Sequence, residues 1–163
     1  MPTSQSKPIL LDNTVLSNFS LVKRTDIVLR LWNNCSTPPD AWREDQSGVA
    51  IGHRPREAWE SLALIELTEA EIELTKQLAN ALGAGERSCI AVAKSRCGLF
   101  FTDDRKARQA ALEMGVIVSG TLGILVVAVE RKIIPIAEAN PLLMQMIQNG
   151  YHSPVDNLSS LLS

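Results

Sequence analysis

The order of apolar and polar positions divides the chain into short apolar runs separated by stretches with helical spacing. The runs PILL at 8–11, LALIEL at 62–67, LFFT at 99–102 and VIVS at 116–119 are typical of buried strands. Segments such as TDIVLRLW at 25–32 place their apolar side chains on one helical face. Short apolar strands that alternate with helices favour a parallel sheet covered on both faces. The pattern therefore predicts an α/β fold, a three-layer α/β/α sandwich around a central, mostly parallel sheet.

Local signals predict where several helices begin and end. Thr68 followed by Glu71 has the spacing of a capping box, and Gly98 is expected to close the helix that contains SCIAVAKS. A helix is expected to begin at the double proline of TPPDAWRE, and a short helix is expected between 55 and 62. The segment after 134 is predicted to be helical with three breaks, at Pro141, Gly150 and Pro154.

The length and composition predict one globular domain. The chain has 163 residues, of which 45% are hydrophobic and 21% charged, and this length is too short for two ordinary domains. We expect a single domain over 1–163, with its core at about 8–134 and a C-terminal helical extension at about 135–163. A net charge of −2 argues against strong sequence-independent binding of nucleic acid, because such binding needs a large basic surface.

The cysteines and the apolar segments indicate the cellular compartment in which the protein is expected. Three cysteines without CxxC spacing predict neither a disulfide framework nor a zinc site. The most apolar stretch, GILVVAV at 123–129, is far shorter than the roughly 20 residues of a membrane span. We therefore expect a cytoplasmic protein that makes no membrane contact.

Acidic residues stand at the carboxyl ends of two predicted strands. Asp12 follows ILL, and Asp103 with Asp104 follow LFFT; this edge of a parallel sheet is where ligands gather. Glu86 lies in the first turn of the helix before the second strand, and Glu44 lies on the helix after the double proline. Taken singly, each acid can be a helix cap, a favourable first-turn charge or a solvated side chain.

Taken together, the acids predict a cation. Two carboxylates about 4 Å apart repel by roughly 4 kcal/mol at an effective dielectric constant of about 20, which capping does not offset for four acids. Carboxylate oxygens suit Mg²⁺ or Mn²⁺, and such an ion polarises a phosphodiester and lowers the pKa of bound water. Three basic residues on the next helix are candidates to hold flanking phosphates, with a solvated helix face as the alternative: Arg105, Lys106 and Arg108.

The motifs LLDNTVLSNF, TPPDAWRE and the long segment from LGAGERSCIAVAKS to GTLGILVVAVERKII resemble the PIN domain, in particular the branch of VapC-type prokaryotic toxins. The resemblance covers about 9–134. It implies a metal-dependent ribonuclease that cleaves RNA, expected to be single-stranded, with water activated by Mg²⁺ or Mn²⁺. It also implies a homodimer and a small antitoxin protein as partner.

The resemblance assigns roles residue by residue. Asp12, Glu44, Glu86 and Asp104 match the catalytic and metal-binding acids of the family, and Asp103 is an additional candidate ligand. The pair Asn13-Thr14 stands where many relatives have a small hydroxyl residue directly after the first aspartate.

Two other functions are alternatives. A phosphatase of the haloacid dehalogenase type also has strand-end aspartates, but its first motif needs an aspartate where Thr14 stands. A non-catalytic nucleic-acid-binding or regulatory module would retain the acids as a vestigial site. Cleavage of RNA, turnover of phosphomonoesters and binding without cleavage distinguish the three.

Overall fold

A computed structural model describes residues 7–50, 59 and 62–162 of the chain, without the side chains at 47–50. Its strands are β1 (Ile9–Leu11), β2 (Cys35–Thr37), β3 (Ala63–Leu64), β4 (Leu99–Phe101) and β5 (Ile117–Ser119). Its helices are α1 (Asn13–Leu21), α2 (Thr25–Leu31), α3 (Pro39–Ala50), α4 (Glu69–Gln77), α5 (Ala84–Arg96), α6 (Arg105–Glu113), α7 (Thr121–Glu130) and α8 (Ile136–Gln148). A 3₁₀ turn follows at Ser159–Leu161.

The five strands form one sheet with the order β3-β2-β1-β4-β5, and every pair of neighbours is parallel. Strand β1 lies at the centre, where Leu10 pairs with Phe100 of β4. The carboxyl ends of β1 and β4 therefore open on the same edge of the sheet, which makes this edge the place where a site forms.

Two apolar cores cover the two faces of the sheet. Because side chains alternate along a strand, Ile9 and Leu11 lie in one core and Leu10 in the other. The first core also takes side chains from α1, α2, α7 and α8, and the second from α5 and α6. The expected three-layer α/β/α sandwich is confirmed, with a sheet that is wholly parallel.

The helix that contains SCIAVAKS ends differently from the expectation. The residue with left-handed backbone is Cys97, with φ of 54°, and not Gly98. Gly98 is required for another reason, since a Cβ there would lie 2.4 Å from the carbonyl oxygen of Pro8. The missing side chain lets the start of β4 approach the chain that leads into β1.

The expected break at Pro141 is wrong, because this proline lies inside α8. Only the hydrogen bond of its own nitrogen is lost near the start of the helix. The apolar face of α8 offsets that loss, because Leu142, Leu143 and Met146 are buried in the first core. The segment PLLMQMI thus packs mainly on the body of the protein, with Met144 exposed.

Other local predictions have mixed outcomes. The capping box of Thr68 and Glu71 is confirmed at the start of α4. The strand expected over 62–67 is confirmed only at Ala63–Leu64. The short helix expected between 55 and 62 lies largely outside the described residues. In the part of the chain that the structure describes, no helix is both long enough and apolar enough to cross a membrane.

Candidate active site

Asp12 lies at the centre of the acidic edge, the edge of the sheet at the carboxyl ends of β1 and β4 where Glu44, Glu86 and Asp104 also lie. It follows β1 directly and begins α1, where its Oδ1 accepts a hydrogen bond from the backbone N–H of Asn13 at 2.8 Å. Its side chain is buried, with only 1% of the residue exposed. A carboxylate at this depth needs compensating donors or a cation.

The hydroxyl of Thr102 supplies one such donor. It donates to Asp12 Oδ2 at 2.7 Å and accepts from the backbone N–H of Asp104 at 3.1 Å. Thr102 is completely buried at the end of β4. Its hydroxyl therefore fixes the acid that follows β1 relative to the acid that follows β4.

Asp104 also begins a helix. Its Oδ1 accepts from the backbone N–H of Ala107 at 2.8 Å and so caps α6. The expectation that Asp12 and Asp104 cap helices is correct, but the capping occurs together with their grouping at one edge.

A close approach of α3 to α5 positions the two glutamates. A Cβ on Gly85 would lie 2.7 Å from Cα of Ala41, so only glycine permits this approach. Glu44, one turn further along α3, then accepts from the backbone N–H of Gly85 at 3.2 Å. Glu86 turns back to the backbone N–H of Gly83, at 2.9 Å.

The two glutamates lie close to each other. A Cβ placed on Gly83 would be 3.5 Å from Glu44 Oε1 and 3.8 Å from Glu86 Oε2, so both carboxylates reach the same point. Each of the four acids accepts a backbone N–H at the start of a helix. The positive ends of α1, α5 and α6 therefore point into one acidic group.

The electrostatics of the group link all four acids. Burial raises the pKa of Asp12 from 3.8 to about 6, opposed by the Thr102 and Asn13 hydrogen bonds, and the charges of Glu44 and Asp104 raise it further. Burial likewise raises the pKa of Glu86 to about 7, with added repulsion from the other three acids. The charges of Glu44 and Asp104 thus act on both Asp12 and Glu86.

Asp103 lies outside that group. Its Oδ1 accepts from the backbone N–H of Thr121 at 2.8 Å, and its Oδ2 accepts from Asn18 Nδ2 at 2.9 Å and from the Thr121 hydroxyl. Asp103 therefore caps α7 from a distant part of the chain. These contacts give no support to its predicted role as an additional ligand.

The three basic residues of α6 point to two different places. Arg105 and Lys106 are exposed at the start of the helix, next to Asp104. Arg108 instead turns back and donates from Nη1 to the carbonyl oxygen of Thr102 at 3.1 Å. The side chains of Arg105 and Lys106 line a surface groove beside Leu82 and Gln109, whereas Arg108 reaches the end of β4.

The donor set fits a hard divalent ion. It consists of carboxylate oxygens, which are the ligands that such ions prefer. Burial and mutual repulsion raise the pKa values of Asp12 and Glu86, and a cation between the carboxylates would lower them again. Among the described residues, no group of three or more acids, histidines or cysteines is close enough together to hold a metal ion. The residues that could hold the ion are Asp12, Glu44, Glu86 and Asp104.

Sequence reasoning missed three residues that shape this edge. From the sequence, Thr102 is expected only to end a strand, and Thr14 has no expected role. In the structure the Thr14 hydroxyl donates to Asp12 at 3.4 Å and accepts from the backbone N–H of Asp103 at 3.0 Å. Asn18 was also missed. The sequence does contain a signal for two of them. Thr102 directly precedes Asp103 and Asp104, and Thr14 follows Asp12 by two positions.

An all-parallel sheet with acids from separate elements at the carboxyl edge of its central strands defines a class, that of three-layer α/β/α proteins with an acidic site at that edge. The chain belongs to the PIN domain family, whose sequence model matches residues 8–163. PIN domains are in general nucleases that act on RNA and typically use divalent metal ions. No curated protein matches the chain.

Proposed function

We propose that this protein is an endoribonuclease that depends on Mg²⁺ or Mn²⁺. The observation that carries the proposal is the grouping of Asp12, Glu44, Glu86 and Asp104, four acids from separate segments, at one edge of the sheet. When bound, the ion would polarise the phosphodiester of the RNA and lower the pKa of a bound water. Membership of the PIN family supports nuclease chemistry.

The residues of the chain have separable roles in this proposal. Asp12 is the acid held most firmly, because two hydroxyls and a backbone N–H fix its oxygens. Glu44 and Glu86 complete the group from α3 and α5, and backbone N–H groups at the start of α5 hold their carboxylates. Arg105 and Lys106 are free to attract the phosphates of a single-stranded RNA.

The test is cleavage of single-stranded RNAs with Mg²⁺ or Mn²⁺ and with EDTA. Asp12→Asn, Glu86→Gln and Asp104→Asn should each lower the rate by at least about a hundredfold, since even the partners of metal ligands account for 10- to 100-fold. Glu73→Gln is the matched control, because Glu73 is exposed and forms an ion pair with the exposed Lys76, away from the four acids. Circular dichroism would establish that each variant folds.

The outcomes separate the alternatives. Cleavage that persists in EDTA, or that Glu73→Gln reduces as strongly as the other variants, would overturn the proposal. Binding of RNA without cleavage would favour a regulatory module. Turnover of small phosphomonoesters would favour the phosphatase.

We further propose that the chain acts as a single domain and as the toxin of a pair, with a homodimer and a small antitoxin as its assemblies in the cytoplasm. This part rests on the resemblance to the VapC branch. Light scattering of the purified protein tests the dimer. Relief of growth arrest by the product of a neighbouring gene tests the antitoxin.

A further inference from the structure

A cavity of about 510 Å³ opens beside the acidic group, where β5 ends and α7 begins. Its apolar wall contains Leu122, Val126 and Pro154, and polar groups enter it from Arg108, Ser119 and His152. Sites for small organic ligands have this volume and this mixture of an apolar wall with a few polar groups. The acidic group described above does not use this cavity.

The cavity is directly connected to the acidic group. Asp103 lines it and precedes Asp104 in the chain. Arg108 donates to the carbonyl of Thr102, the residue whose hydroxyl holds Asp12. Because consecutive Cα atoms are about 3.8 Å apart, Asp104 lies next to the cavity wall, and a nucleotide adjacent to a phosphate held at the acids would be close to the cavity.

Asp103 is poorly suited to read a base. Its oxygens already accept from Thr121 and Asn18. Its charge, however, lies near Arg108, and a Cβ on Gly120 would be 2.4 Å from Asp103 Oδ1 and 2.9 Å from Arg108 Nη1. The carbonyl of Thr102 therefore fixes one end of the guanidinium at the cavity, and the nearby charge of Asp103 attracts it.

Arg108 has donors to spare. A guanidinium carries five N–H groups, and the described residues take one hydrogen bond from it. A bidentate contact from arginine to the O6 and N7 atoms of guanine is a common way to read that base. The cavity also contains an aromatic ring, that of Tyr151, and single-stranded RNA is recognised by stacking of splayed bases on such rings.

We propose that this cavity is the subsite for a nucleobase next to the scissile phosphate, and that Arg108 selects guanine there. The inference rests on the proposed ribonuclease function and adds the part of the substrate that decides specificity. It also gives Arg108 a role different from a phosphate contact, because a base contact affects one sequence position and a phosphate contact affects all RNAs alike.

The first experiment measures binding without metal. Isothermal titration in EDTA compares GMP, AMP, CMP and UMP with the wild-type protein and with Arg108→Gln. GMP should bind about tenfold more tightly than the other three nucleotides, and Arg108→Gln should abolish the difference. Equal binding of all four nucleotides, or an unchanged preference in Arg108→Gln, would overturn the proposal.

The second experiment measures cleavage of RNAs that differ only in the base at each position around the cut. The wild-type protein should favour guanine at one position, and Arg108→Gln should bring the rate ratio between guanine and the other bases to about one. Arg105→Gln is the matched control, since this exposed arginine on the same helix should lower all rates and keep the ratio. A uniform loss with an unchanged ratio in Arg108→Gln would contradict the base contact.

The two experiments also separate this inference from the proposed function. One outcome is that the protein prefers guanine in binding, that this preference depends on Arg108, and that no RNA is cleaved in Mg²⁺ or Mn²⁺. This outcome would support the base subsite and contradict the nuclease function. Metal-dependent cleavage without any base preference would retain the nuclease and remove the subsite.

Discussion

The hydroxyl of Thr102 donates a hydrogen bond of 2.7 Å to Asp12 Oδ2, across a separation of 90 residues in the chain. Both residues are buried, and the same hydroxyl accepts from the backbone N–H of Asp104. One threonine therefore determines how the acids of two neighbouring strands face each other. This small polar contact is the structural centre of the acidic edge.

Thr102→Val should weaken metal binding. Valine keeps the shape of threonine but removes the donor to Asp12, so we expect the affinity for Mn²⁺ to fall by about 10- to 100-fold. Titration calorimetry with Mn²⁺ measures this affinity. Thr102→Ser retains the hydroxyl and should bind the ion nearly as well as the wild-type protein. Wild-type affinity in the valine variant would contradict the role assigned to this hydroxyl.

Gly85→Ala should separate α3 from α5. The added Cβ would meet the backbone of Ala41 at 2.7 Å, so we expect a loss of about 1–3 kcal/mol in the free energy of unfolding. Displacement of Glu44 should also reduce cleavage by about tenfold or more. Gly83→Ala is the control, because its Cβ would make ordinary contacts. Urea unfolding and RNA cleavage measure the two effects, and equal behaviour of the two variants would refute this packing.

The stability of the metal-free protein should fall as the pH rises from about 4 to about 7. The folded state raises the pKa of Asp12 from 3.8 to about 6 and that of Glu86 from 4.5 to about 7. Over this interval the folded protein therefore holds more protons than the unfolded chain, and the free energy of unfolding decreases with pH. For the buried Asp12 the decrease is about 3 kcal/mol, at 1.36 kcal/mol per pKa unit.

Unfolding in urea at pH 5 and pH 8, with EDTA or with Mn²⁺, measures this dependence. Asp12→Asn should reduce the slope in EDTA, because the side chain no longer titrates. Mn²⁺ should stabilise the protein more at pH 8 than at pH 5, since the ion binds ionised carboxylates. A slope in EDTA that is identical in the two proteins would exclude Asp12 as its source.

Cys97→Gly should stabilise the protein. Cys97 has a φ of 54°, a left-handed conformation that glycine adopts without steric cost. Since that conformation costs other residues roughly 1–2 kcal/mol, we expect the free energy of unfolding to rise by about 1 kcal/mol. Cys97→Ala keeps the strain and should leave stability nearly unchanged. Chemical unfolding measures both variants, and a less stable glycine variant would argue against strain at this position.

Four of the five strands, most helices and the acids at strand ends were predictable from the sequence. Strand β2 was not, because its residues Cys35–Thr37 form no apolar run. Apolar runs such as 9–11 and 99–101 become strands because burial on both faces of a parallel sheet needs unbroken apolar residues. Since such strands end at one edge, the sequence also brings Asp12 and Asp104 to the same region. The start of α4 was equally predictable, because Thr68 and Glu71 interact within one turn.

Other features depend on segments that are distant along the chain. Asp103 and Asp104 are neighbours in the chain and have the same side chain. Because α7 packs close by, Asp103 accepts hydrogen bonds from Thr121, whereas the charge of Asp104 acts on Asp12. Glu44 reaches Glu86 only because Gly85 lets two helices touch. The sequence by itself therefore determined most of the elements and the positions of the acids along the chain, through periodicity and local capping. The tertiary structure decided which acids meet, because that depends on how closely remote backbones pack.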